Sequence, residues 1–399
     1  MLDPIVNFFT WVFQWIGRGI GFVVGVIVWP FLWIGRWYTK KGWILKTVVG
    51  AVVLLLLGLY GNFFYATQWW NGFNPDYVTS STFPVGKSVA GDTSAGSPAV
   101  ATGAASGSST TTAAPASGAT PNTGTSAQAP ASCNRSAIVD ISAELVDFNV
   151  NQNAWISSMV VSKMGFFGIP WRNTPFFDNK AAFQLGINQV MRRTTTELVD
   201  TLGRVRGTSQ IDQNLQDART GLAWDETAWY IGLRGPTRPT PSVYREAIAK
   251  LRAFNSNLEQ CRANFDARAD NLLQFVDRIA GDIGSTSDIL RARIEASNAG
   301  WFDPRADDRF WFAYGQLYAY YGILTATRFD FAAVISERNL TALWRQMEEQ
   351  LRTSLDMQPA IISNGNESSF LFPSHLATMG FNLLRVRSQI VEVRSVLDR

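Results

Sequence analysis

One histidine and two cysteines stand in 399 residues. That is too few soft or imidazole ligands for a structural zinc site, a bis-histidine haem or an iron–sulfur cluster, and no cofactor is expected. Charge of one sign is scarce too. The chain holds 35 Lys and Arg against 32 Asp and Glu, a surplus of three, which excludes a dedicated nucleic-acid binder with a basic face against phosphates. The elbow Gly-x-Ser-x-Gly, the zinc motif His-Glu-x-x-His and a glycine loop ending in Lys-Ser/Thr are all missing. Enzyme classes that carry such motifs are therefore disfavoured.

What is present falls into unlike stretches. Residues 1–78 hold eight of the fifteen tryptophans, and residues 79–132 are almost wholly Ser, Thr, Ala, Gly and Pro, with only Lys87 and Asp92 charged. Residues 133–399 balance 29 basic against 29 acidic side chains. Within the first stretch Thr47 to Tyr65 is uncharged and apolar, close to the ~20 residues that cross a bilayer as a helix, so 47–66 is read as a transmembrane helix. Arg36, Lys40, Lys41 and Lys46 precede it and no Lys or Arg follows until Lys87. The positive-inside bias then puts the basic loop in the cytoplasm and the remainder of the chain outside. Trp37, Tyr38 and Trp43 suit the near membrane interface, and Tyr65, Trp69 and Trp70 the far one.

Residues 1–46 form an aromatic segment in which WVFQWIGRGI (11–20) is echoed by WPFLWIGRWY (29–38). It reads either as amphipathic or re-entrant helix in the interface, which seats Arg18 comfortably, or as a span that buries it at a cost of a few kcal/mol. Gly17, Gly21 and Gly25 form a small-residue face suited to helix–helix approach. The tract 79–132 cannot bury enough apolar surface to order itself. It is expected to be a disordered tether of about 35–40 Å r.m.s. span, holding a body at 133–399 away from the membrane.

That body reads as an all-α multi-helix bundle. Apolar positions from Tyr244 to Ile283 follow helical spacing, as one helix or as two with a kink near Asn264, starting at Pro241–Ser242 and stopping at Gly281 and Gly284. A helix from Asp303–Pro304 is apolar nearly all round, which places it in the middle. The last helix, from Ser374, repeats Leu376, Met379, Leu383, Val386, Ile390, Val393 and Leu397 at heptad spacing. Packing within its own bundle is favoured, with homo-oligomer formation through these heptads or through the N-terminal glycine face kept open. Further helices are expected near 180–206, 285–299 and 339–355.

The blocks FFDN (176–179), YREAIAKLR (244–252), FDARADNL (265–272), DDRFWFAYG (307–315), DFAAVISERN (330–339), Asn364–Gly365 and SHLATM (374–379) together resemble a family of uncharacterised proteobacterial membrane-anchored proteins. The resemblance spans roughly 176–397. It implies a single-pass inner-membrane protein with an exported helical domain, and no activity comes with it.

Asp307 and Asp308, between Arg305 and Arg309, are the candidates for acid–base chemistry, because neighbouring carboxylates push their pKa values apart. Capping and ion pairing at a helix start is the favoured reading of them. His375 suits a helix-cap hydrogen bond better than a base, and Asn364–Gly365 a turn with a left-handed residue. Cys261 lies on the apolar stripe of its helix and reads as a buried free thiol, with pairing to Cys133 the minor alternative. The leading expectation for function is a non-enzymatic envelope scaffold or adaptor, whose partners are membrane lipid and an envelope protein or the cell wall. A carboxylate-based cell-wall or lipid-processing enzyme and an apolar-ligand sensor are the alternatives.

Overall fold

The computed structural model describes residues 42–80, 133–174, 177–204, 211–232, 235–296, 303–365 and 373–399, with scattered positions between 11 and 40. Contacts divide the chain into two units, Met1–Tyr65 and Ala66–Arg399. Most of the described positions from 11 to 39 are helical, and nearly all are exposed. Around Gly21 and Gly25 a methyl group would meet nothing within 4 Å, while Gly17 and Lys41 lie outside the described residues. Helix α1, Trp43–Gln68, is long and apolar enough to cross a membrane. Arg36 and Lys40 precede it and Lys46 sits in its first turn, the Lys46 carbonyl accepting from the Tyr38 hydroxyl at 3.1 Å. Trp37, Trp43 and Tyr65 are exposed.

The second unit is a helical bundle: α2 (Ala137–Asp147), α3 (Asn179–Glu197), α4 (Gln213–Leu222), α5 (Thr240–Glu259), α6 (Ala269–Ala296), α7 (Ala306–Asp330), α8 (Thr341–Ser354) and α9 (His375–Leu397). A two-residue hairpin, Ile231–Gly232 with Gly235–Pro236, is the sole sheet among the described residues. Helix α7 runs through the middle as its composition predicts, buried from Ala313 to Thr327 without interruption. It packs on α3, α2, α8, α9 and α6. Its last residue, Asp330, starts α2: Oδ1 accepts from Ala137 N at 2.7 Å, and Oδ2 from Ile138 N at 3.0 Å and from Ser136 Oγ at 2.7 Å. These satisfy amide groups that the first turn of any helix leaves orphaned.

Helices α3 and α7 meet backbone to backbone. A Cβ on Gly186 would lie 2.2 Å from the Phe312 carbonyl, and one on Gly315 would lie 2.2 Å from that of Phe183. Only glycine admits such an approach. Helix α9 turns its whole heptad seam onto α6 and α8, with all seven predicted positions buried, so the seam is packed within the chain.

Of the two readings of this stretch the second holds, with a break around Asn264: the helix that begins at Thr240 ends at Glu259, and the next begins at Ala269. Two local expectations are corrected. That second helix runs through Gly281 and Gly284 to Ala296 because packing on α9 holds it. Cys261 therefore lies past the end of α5, exposed and in a left-handed conformation with φ 57°, where it is free to bond Cys133. The bridge closes 128 residues of sequence, a constraint worth about 4–5 kcal/mol in the chain-entropy account.

The body also starts earlier than residue 133. The residues directly after α1 are built into the bundle and do not lead away from it. Trp70 stacks within 5.0 Å of Phe183 and 5.2 Å of Trp311, and Tyr77 within 4.4 Å of Tyr318. The Tyr77 hydroxyl donates to the Tyr318 carbonyl at 2.8 Å, and that of Tyr318 to the Asn74 carbonyl at 3.2 Å. Asp76 pairs with Arg352. Lys180, 3 % exposed, donates to the carbonyls of Ala66 and Trp69 at 2.8 and 2.6 Å. Trp70 thus packs on the core of the bundle, whereas Trp69 is exposed. The bundle begins at Ala66, and residues 81–132, which lie outside the described residues, join two segments of the same body.

Candidate functional site

The glycine contact between α3 and α7 has a consequence at their N-termini. Asp178, just before α3, and Asp308, in the first turn of α7, both lie about two helical turns ahead of that contact, and the two carboxyls meet. Asp178 is 7 % exposed, and neither of its oxygens receives a hydrogen bond from a protein N–H or hydroxyl. Burial, then the charges of Asp308 and Asp307, push its pKa well up. Burial also raises Asp308, but Arg309, Arg172 and Arg305 oppose that rise. The proton shared by such a pair therefore rests mainly on Asp178 and the charge on Asp308. Asp307 is buried beside them, raised to about 7 by burial first and by Asp308 second.

The pair lines a cleft of about 870 Å³. Four cations share its lining, Lys163, Arg172, Arg305 and Arg309, and Trp171, Pro170 and Phe312 supply apolar wall. Arg305 does not pair with its neighbouring aspartates as expected but donates from Nε and Nη2 to Asn173 Oδ1 at 3.3 and 3.0 Å. The rim is a tight hairpin. Gly165 (φ 67°) ends a short helix, Val160–Met164. Phe166 and Ile169 then exchange backbone hydrogen bonds of 2.8 and 3.0 Å across Phe167 and Gly168, both at positive φ. That two-residue turn is the kind that closes hairpins. Phe167 is 77 % exposed, with Met164, Phe166 and Ile169 also exposed around it. Trp171 holds the hairpin base, donating from Nε1 to the Val161 carbonyl at 2.8 Å.

Of the residues singled out from sequence, Asp308 lines this cleft and Asp307 is buried behind it. His375 is elsewhere: its Nδ1 accepts from Ser363 N at 3.0 Å and its own N–H donates to the Ser363 carbonyl at 3.0 Å. Burial lowers its pKa. Asn364 makes no left-handed turn. Its Nδ2 donates to Asp303 at 3.0 Å, and Asp303 in turn pairs with Arg293. Sequence reasoning missed Asp178, whose partner stands 130 residues later; the one available signal was its place in the block FFDN directly ahead of a helix.

A family model described as an uncharacterized protein conserved in bacteria (DUF2333) matches residues 169–399. The chain belongs to this family. The matched stretch contains Arg172, Asp178, Arg305, Asp308 and Arg309, whereas Lys163 and most of the hairpin rim precede it. Comparison with curated proteins and with solved structures finds no match.

Proposed function

We propose that this protein is a non-enzymatic scaffold or adaptor of the bacterial cell envelope, held in the inner membrane by α1, with its helical body in the periplasm. The observation that carries the compartment in this reading is the Cys133–Cys261 bond. It joins the only two cysteines of the chain, and such bonds persist in oxidising compartments. The cationic residues Arg36, Lys40, Lys41 and Lys46 ahead of α1 support the same orientation. A phosphatase reporter fused to the carboxyl end is expected to be active, and a fluorescent protein that folds only in the cytosol to be dark; the reverse pattern removes the proposal. The adaptor role is tested by crosslinking intact cells and comparing partners of the full chain with those of residues 1–65. Identical partner lists count against it.

One observation favours a second reading. A protonated and an ionised carboxyl side by side in a cleft form the arrangement that carboxylate enzymes use as acid and base. Full-length protein in detergent would then release product from peptidoglycan or lipid substrates, and Asp308→Asn would stop release. Nothing comparable favours the apolar-ligand sensor. The aromatic interior is filled, with Phe183, Tyr314 and Tyr318 packed against Phe73.

A further inference from the structure

We infer that the cleft receives the headgroup of an anionic, hydroxyl-bearing phospholipid, with the 165–169 hairpin dipping into the acyl region of the bilayer that α1 crosses. Three features converge on this occupant.

The first is the order of chemistry along the site. Four exposed apolar side chains at the hairpin, Met164, Phe166, Phe167 and Ile169, stand next to four cations in the cleft. Apolar tip followed by basic collar is the sequence of environments across a membrane interface.

The second is position. Asp178, in the cleft, and Lys180, which grips the carbonyls of Ala66 and Trp69, lie two residues apart at the head of α3. The cleft carboxyl thus stands two residues from the side chain that holds the carbonyls at the end of α1.

The third is charge. With one proton shared by Asp178 and Asp308, the lining carries four positive groups against a single carboxylate, a surplus that calls for an anion. Phosphate oxygens match Arg172 and Arg309. Headgroup hydroxyls can donate to Asp308 and to the Asp178 oxygens, which find no protein donor.

The inference rests on the membrane-anchor part of the proposal above, but not on which side of the membrane the body occupies. The test uses the full chain in nanodiscs of phosphatidylcholine alone or mixed with phosphatidylglycerol, read by hydrogen exchange over residues 160–172. The phosphatidylglycerol discs are expected to slow exchange there. Phe167→Asp should lose that protection, as should Arg172→Ala combined with Arg309→Ala. Phe167 is exposed, so its variant tests the hairpin without disturbing the core. Equal exchange in the two lipid compositions overturns the inference. So does the same protection from inorganic phosphate added to phosphatidylcholine discs, which would mark a phosphate site with no call on lipid. Both leaflets of a disc share one composition, so a failed reporter assay for compartment leaves this result standing, and the converse also holds.

Discussion

The aspartates of the cleft make the stability of the body depend on pH in a direction opposite to that of ordinary salt-bridged carboxylates. Asp178, Asp307 and Asp308 all bind their protons more tightly folded than unfolded, with Asp307 raised from 3.8 to about 7. Where the folded state holds more protons, stability falls as pH rises, by up to about 1.4 kcal/mol per pH unit for each proton retained. The loss should begin above 3.8, run through about 7 for Asp307 and continue to about 10 for Asp178. Arg172, Arg305 and Arg309 offset part of it by favouring ionised Asp308. Asp178→Asn keeps a neutral donor in place and removes the largest contributor. Its melting temperature should exceed that of the native chain at pH 8 and approach it at pH 4.5, as thermal unfolding across that range would show. An unchanged pH slope would mean that Asp178 is ionised after all. The sequence brought Asp307 and Asp308 into view because adjacent acids are visible as a pair. Asp178 was hidden because what makes it unusual is a neighbour on another helix.

Helix boundaries were legible where local chemistry decides them. Ser374 starts α9, its hydroxyl accepting from Ala377 N at 3.2 Å, and the heptad positions that follow are the ones buried. They were misread where packing decides. Gly281 and Gly284 have the weak helix preference that suggests a stop, yet α6 passes through both because α9 lies along it. Glycines at the α3–α7 crossing act in the other direction, since their value lies in what they omit. Gly186→Ala places a methyl against the Phe312 carbonyl, an overpacking that typically costs about 1–3 kcal/mol, and Gly315→Ala should do the same. Because that contact sets how the heads of the two helices meet, either variant should also weaken the pH dependence carried by the aspartates. Chemical denaturation at two pH values measures both effects together.

For the whole chain, the consequential finding is that the body starts before the Ser/Thr/Ala/Gly/Pro tract and resumes after it. Composition marks off an apolar segment, a biased tract and a helical stretch, but it cannot tell a strap between two parts from a loop leaving and re-entering one part. The deciding contacts, Trp70 with Phe183 and Tyr77 with Tyr318, join residues more than a hundred positions apart and leave no local trace. A protease site placed within 88–125 provides the check. If the tract were a strap, cutting it would release the body from membranes. As a loop it should be cut with the body still sedimenting with the membrane fraction, until Tyr77→Ala and Trp70→Ala together loosen the grip of residues 66–80. Because Ala66 and the residues after it already belong to the bundle, lengthening or shortening residues 81–132, or splicing a foreign domain into them, should leave the packing of Trp70 and Tyr77 on its core intact.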